Sequence, residues 1–247
     1  MARFPDHFSR DAATYARYRP RYPDSLFEWL AGIAPTHALA WDCGTGSGQA
    51  ATGLARSFEG VVATDPSLAQ LRSAERNERV HYAAMTAESS ALAPGSAALV
   101  TVAQALHWFR LDEFHAEVRR VLMPNGVLAA WMYGLVRIGP DVDDQVTRFY
   151  TQTVGAYWPA ERALVDAGYA SMGFPFTRIR APQFSMEADW TLEMFAGYVS
   201  TWSAVGRYLD AVGRDPVAPF IEGLSAVWTQ GAVRRVRWPL ELLVGRV

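Results

Sequence analysis

Asp42-Cys43-Gly44-Thr45-Gly46-Ser47-Gly48-Gln49 follows directly on the apolar run Ala38–Trp41. Three glycines alternate behind an acid at the mouth of what reads as a buried strand. Glycine permits positive φ in a tight turn, and the missing side chains let a ligand lie against the backbone. The next segment, Ser47–Ser57, reads as a helix whose first amides have no partner within the helix and point at the same place. A strand, a glycine turn and a helix in this order make a site for a cofactor.

Two residues narrow the ligand. The dinucleotide pattern G-x-G-x-x-G needs glycine at position 49, where this chain has Gln49. A pyrophosphate at the turn has no use for a carboxylate, yet Asp42 stands there, and it suits a cationic or amine-bearing group. Both details favour S-adenosylmethionine (SAM) over a nicotinamide dinucleotide. Downstream, Asp65 closes the next strand, where a doubly wound sheet places an acid for a ribose diol. The competing reading has Asp65 capping the following helix ahead of Pro66.

Around the turn the pattern is regular. Asp24 reads as an N-cap for a helix that buries Leu26, Phe27, Leu30 and Ile33. Strands are expected at Ala38–Trp41, Gly60–Thr64, Val80–Ala83, Ala98–Ala103 and Val127–Met132, with helices at Ser47–Ser57, Ser67–Arg76 and from Leu111 to the stop at Pro124-Asn125-Gly126. Short apolar strands alternating with amphipathic helices imply a parallel, doubly wound α/β sheet covered on both faces. From Gly134 to about Trp228 the chain turns helical and aromatic, with a strand near Phe176–Phe184. Val236, Trp238, Leu240, Leu242 and Val244 then alternate with polar residues as a last strand, where Pro239 predicts a bulge or irregular start.

Composition excludes several function classes. The chain has 247 residues, half of them hydrophobic, a net charge of -2 and one cysteine. It can bury one large core, and no charge block favours nucleic acid or an anionic membrane surface. No apolar run approaches the roughly 18 residues of a membrane span, and Met1–Arg10 lacks the apolar stretch of a signal peptide. A single cysteine permits neither an internal disulfide nor a multi-cysteine metal site. A cytoplasmic setting is expected. All 23 basic residues are arginine, which rules out lysine Schiff-base chemistry and the lysine-bearing phosphate loop of nucleotide hydrolases.

With these residues in view, positions 38 to 133 resemble the core of class I SAM-dependent methyltransferases, the type 11 domain in particular. The resemblance rests on Asp42–Gln49, Thr64-Asp65-Pro66-Ser67, Thr86-Ala87-Glu88, Val102-Ala103-Gln104-Ala105-Leu106-His107-Trp108-Phe109 and Arg120-Val121-Leu122-Met123-Pro124-Asn125-Gly126. Tyr15–Pro23 and Thr201-Trp202-Ser203-Ala204 are similar to the trans-aconitate methyltransferase-like branch. The resemblance implies a Rossmann-like, seven-stranded, mostly parallel sheet with an antiparallel last strand, plus a helical cap. It divides the chain into an N-terminal lid (1–24), a SAM-binding core (25–133), a cap and substrate region including one sheet strand (134–230) and a C-terminal strand completing the sheet (231–247).

For the site it implies that Asp42, Gly44, Thr45, Gly46, Gly48 and Gln49 surround the methionine part of SAM, and that Asp65, with Pro66 and Ser67, holds the ribose. Ala87 and Glu88 lie beside the adenine. Gln104 and Ala105 close the other side, and Tyr18 reaches over from the lid. The product is S-adenosylhomocysteine, and no metal is expected. Asp112 and His115 are helical neighbours with no assignable third ligand.

The acceptor is a small molecule, and an anionic one is favoured by the arginines of the N-terminal segment. Arg19, Trp108, Tyr198 and Trp202 are the candidate substrate contacts, within a larger aromatic set that includes Tyr150, Tyr157, Trp158 and Tyr208. Carboxyl O-methylation leads. Methylation of an amine or a phenol is the alternative, with His107 as general base. A non-catalytic SAM-binding protein and a dinucleotide oxidoreductase are the readings from other classes. Monomer and homodimer stay open.

Overall fold

The computed structural model describes Tyr18 and residues 20–247, so the expected role of Arg19 and most of the N-terminal lid fall outside the described residues. Helix α1 (Asp24–Ile33) precedes β1 (Leu39–Cys43), α2 (Gln49–Leu54), β2 (Gly60–Thr64), α3 (Leu68–Ser73), β3 (Val80–Ala83), β4 (Ala97–Ala103), α4 (Leu111–Val121) and β5 (Leu122–Tyr133). The cap follows as α5 (Pro140–Arg148) and α6 (Arg162–Asp166). Short edge strands β6 (Thr177–Arg178) and β7 (Phe184–Trp190), helices α7 (Leu192–Ser200), α8 (Ser203–Val212) and α9 (Val217–Leu224), and the long β8 (Arg234–Arg246) complete the chain. Asp24 lies within the first turn of α1 and does not cap it; Pro23 holds the cap position.

The sheet runs β3-β2-β1-β4-β5-β8-β6, with β7 also on β8. The first five strands are parallel and β8 is antiparallel to β5. Because strand side chains alternate, the apolar runs divide between two cores. Ala40, Leu99, Val127, Ala129 and Trp131 meet α1, α2 and the cap on one face. Trp41, Val100, Val102, Leu128 and Ala130 meet Phe114, Val118 and Val121 of α4 on the other.

The seven strands expected become eight segments. Between Ile179, whose N–H bonds Val244 O, and Phe184, opposite Leu240, the edge carries four residues against three on β8. Pro182 lies in that stretch and brings no N–H to the ladder. β6 and β7 are thus two halves of one edge strand split by a bulge. Pro239, expected to disrupt β8, does not. Arg237 exchanges both backbone bonds with Arg137, and β5 pairing ends at Tyr133–Leu240. By alternation Pro239 faces the same edge, at the gap where residues 134–136 have left the ladder. The Pro124-Asn125-Gly126 turn is likewise absorbed within β5: Ala97 pairs Leu122 while Leu99 pairs Val127, and Asn125 adopts φ +64°.

The cap changes sides of the sheet. Val142, Val146, Phe149, Tyr150 and Val154 belong to the α1/α2 core, whereas Val165, Tyr169, Met172 and Phe176 belong to the α4 core. Residues 155–164 therefore cross from one face to the other. α6 lies in this crossing and packs on the turn that follows β4.

A partly buried ion pair fastens the loop before β4 to α4. Glu117, 8% exposed, accepts from the Ser90 amide and hydroxyl, each at 2.6 Å, and from Arg120. The Arg120 guanidinium, helped by Ser90, lowers the Glu117 pKa to about 2. The folded value is depressed, so this stabilisation is complete above the ordinary value of 4.5 and is lost as pH falls from there towards about 2. Glu117→Gln is expected to cost about 1–3 kcal/mol at neutral pH. In urea denaturation the gap from the native protein should close between those two pH values.

Candidate active site

The strand order puts β1 beside β4, with β2 on its other side, which is the switch point of an open α/β sheet. Gly44, Gly46 and Gly48 all take positive φ, +69°, +54° and +82°, as the sequence leads one to expect. They serve different ends. A Cβ on Gly44 would stand 2.7 Å from Ala105 Cβ and 3.1 Å from Phe109 Cζ, and one on Gly48 would overlap the Tyr82 hydroxyl. At Gly46 the nearest atom to such a Cβ among the described residues is Gln70 Oε1, 4.0 Å away. Gly44 and Gly48 are small so that the protein can close on them, and Gly46 presents open backbone.

Asp42 does not face that opening. It is fully buried, accepting from Thr45 Oγ1 at 2.5 Å and Thr101 Oγ1 at 2.7 Å. Burial raises its pKa to about 6 against the lowering effect of the two hydroxyls. The sequence reading gave Asp42 the task of meeting a ligand's charge. The structure instead sets it beneath the turn, tying β1, the glycine loop and β4 together. Thr45, 8% exposed, is taken up in the same bonding. Gln49 opens α2 and is half-buried.

Asp65, 9% exposed, follows the last residue of β2. Its Oδ2 accepts the Gly46 N–H at 3.0 Å and its Oδ1 the Ser67 N–H at 2.8 Å. It does not cap α3. Ser67 does, accepting from the Gln70 N–H at 3.4 Å, and Pro66 is exposed just before it. The carboxylate is therefore steered towards the open glycine by two backbone amides.

β4 supplies the opposite wall. Gln104 is held at φ +57°, uncommon for a residue with a side chain, by its N–H to Trp131 O and its Nε2 to Tyr133 O. That twist turns the chain so that buried Ala105 meets Gly44. Ala87 is buried in the α4 core. Glu88 accepts the Arg110 N–H at 3.0 Å, which pins the loop after β3 to the start of α4.

A short turn, Leu106–Trp108, carries His107. Its Nδ1 lies 2.8 Å from the hydroxyl of Tyr169, which is 1% exposed. Burial, then the nearby Arg162 charge, lowers the His107 pKa to about 4. Trp108 rests against the His107 ring, with centroids 4.9 Å apart.

Arg162 and Tyr169 escape the sequence reading. Arg162 has Asp166 four residues on, one helical turn away. In the fold its side chain is only 21% exposed, with Nε on Tyr150 Oη at 2.7 Å and Asp166 at 3.0 Å, and with Trp158 and Tyr150 against its guanidinium. The one available signal was its place among cap aromatics after Pro159.

The remaining candidates are placed as follows. Tyr18 packs on Gly197 of α7, where a Cβ would stand 2.6 Å from its ring. Tyr198 and Trp202 are 3% and 5% exposed in the aromatic core of the cap. Tyr198 accepts from Trp238 Nε1 at 3.0 Å, and Trp202 packs among Phe149, Tyr150, Trp158 and Tyr198. Neither is brought to the glycine turn as a free wall. His115 is 4% exposed and sits among Phe114, Phe174 and Phe176. Among the described residues no group of three or more His, Cys, Asp or Glu could hold a metal. Nor is any helix among them long and apolar enough to cross a membrane.

Residues 41–130 match the methyltransferase domain family. A relative from Dictyostelium discoideum, named as a methyltransferase, is 35% identical over 230 residues, spanning 90% of this chain and 86% of its own. A Saccharomyces cerevisiae protein named as an S-adenosylmethionine-dependent methyltransferase is 33% identical over 132 residues, 50% of this chain and 45% of its own. Among solved structures, one named a type II methyltransferase from Anaeromyxobacter dehalogenans is 46% identical. It superposes with a TM-score of 0.88 over 93% of this chain and 98% of its own.

Proposed function

Because the chain belongs to the SAM-dependent methyltransferases, we propose that it methylates a carboxylate oxygen of a small acid. The fit of the cofactor to the turn rests on Gly46, whose open backbone stands beside Asp65. On this reading Gly44, Gly46 and Gly48 lie under the methionine part, Asp65 accepts from the ribose, and Gln104 and Ala105 close the far side. SAM supplies an already activated methyl on a sulfonium whose leaving group is neutral. The chain's own task is to bring an acceptor oxygen into line with it and to keep water out.

The observation that favours a carboxylate is the state of His107. A general base works best with a pKa near the working pH, and this imidazole is lowered to about 4. An acid is ionised at neutral pH and needs no base, whereas an alcohol or a phenol does.

A screen of small acids, phenols and amines for SAM consumption, with products identified by mass spectrometry, tests this. Methyl esters are the expected products, and turnover confined to phenols or amines would overturn the assignment. His107→Ala should leave kcat on the acid within about ten-fold of native, whereas loss of a general base costs about 10²–10⁴-fold.

A further inference from the structure

We propose that Arg162 and His107 form a subsite for the carboxylate of the acceptor, between the end of β4 and α6. The proposal rests on reading this cleft as the acceptor site and names the two groups that select the acceptor there.

The first group is a guanidinium with its outer edge unused. Arg162 donates through Nε to Tyr150 and Asp166, and its Nη1 and Nη2 donate to no described residue. Neither is a buried orphan, so each keeps some exposed surface. Tyr150 and Trp158 press on its plane and restrict its rotamers. A guanidinium presenting two parallel N–H groups matches the two oxygens of a carboxylate.

The second group is an imidazole whose proton is placed by its neighbour. Tyr169 Oη lies 2.8 Å from Nδ1. The buried phenol keeps its proton, its pKa raised by desolvation. That O–H has no acceptor among the described residues other than Nδ1, and a buried donor without an acceptor is costly. Tyr169 therefore donates to Nδ1, which leaves the neutral imidazole its proton on Nε2. Nε2 carries an N–H with no partner among the described residues and is not sealed from the cleft. His107 is a hydrogen-bond donor here. α6 packs directly on the Leu106–Trp108 turn, and Arg162 is near enough for its charge to act on His107. Two donors, one cationic, thus stand on neighbouring elements just beyond Ala105, which itself abuts Gly44 of the glycine turn.

The test uses the full chain saturated with S-adenosylhomocysteine, titrated calorimetrically with acetate, benzoate, phenylacetate and succinate and with the corresponding amides. At least one carboxylate should bind about ten-fold or more tighter than its amide. Arg162→Gln should abolish that preference and leave S-adenosylhomocysteine affinity unchanged. Arg162→Lys keeps a charge beside Asp166 should the first variant fail to fold, and should retain only part of the preference because it lacks the fork. His107→Phe should weaken carboxylate binding about 10-fold or more. The proposal is overturned if no carboxylate is preferred to its amide, or if the preference survives Arg162→Gln. It is also overturned if the arginine variants lose S-adenosylhomocysteine, which would assign the pair to the cofactor. A carboxylate bound through Arg162 but never esterified on addition of SAM leaves the subsite standing and removes carboxyl methylation as the reaction.

Discussion

Asp65→Ala is expected to raise the dissociation constant for SAM by about 10- to 150-fold, the equivalent of one charge-assisted hydrogen bond of about 1.5–3 kcal/mol. The carboxylate does two things at once. It anchors the turn through the Gly46 amide and the start of α3 through the Ser67 amide. In the proposed complex it also accepts from the ribose. The two roles separate experimentally. Losing the backbone bonds lowers the melting temperature of the unliganded protein, whereas losing the ribose contact lowers affinity in protein that is still folded. Calorimetry on a folded variant that binds SAM as tightly as the native chain would return Asp65 to a purely architectural role. Asp65→Asn, which keeps one acceptor oxygen and the side-chain shape, should fall between the two.

How far the site was legible follows from how local its causes are. β2 and β3 have the bounds that their apolar runs give, because a buried parallel strand is written in its own residues. The positive φ of the three glycines was legible for the same reason. The division of labour among them was not. Gly44 and Gly48 are small because of Ala105, Phe109 and Tyr82, all more than thirty residues away in sequence. The burial of Asp42 was not legible either. Only the β1–β4 pairing shows that Thr101 and Thr45 enclose it. The unbroken course through Pro239 depended on where a partner strand ended, which no local pattern contains.

The proton on His107 was the least legible feature. A histidine beyond the fourth strand invites the role of base when its own spacing is all there is to read. Tyr169, 62 residues later, lies 2.8 Å from Nδ1, and burial lowers the pKa to about 4, neither of which the local sequence contains. Arg162 reaches the same place because the cap crosses the sheet at that point. The glycine turn of the donor half is thus encoded in one contiguous loop, whereas the proposed acceptor subsite draws on the turn after β4 and a crossing segment that the topology brings together.

Gly48→Ala tests the donor half most severely. At φ +82° an alanine incurs about 1–2 kcal/mol of left-handed strain. Its Cβ would also overlap the Tyr82 hydroxyl and stand 3.0 Å from Tyr82 Cζ. Tyr82 cannot yield freely, because its hydroxyl donates to Glu75 O at 2.6 Å and Glu75 N–H in turn bonds Ser47 O within the turn. Overpacking of this kind costs about 1–3 kcal/mol, so the sum is a loss of about 2–5 kcal/mol in chemical denaturation, with SAM binding weakened because the turn is displaced. The two causes can be divided. Tyr82 is half-buried, so Tyr82→Ala is tolerable by itself, and the double variant should recover the steric part while retaining the strain. A double variant no more stable than Gly48→Ala would show that Tyr82 is not what requires glycine at position 48.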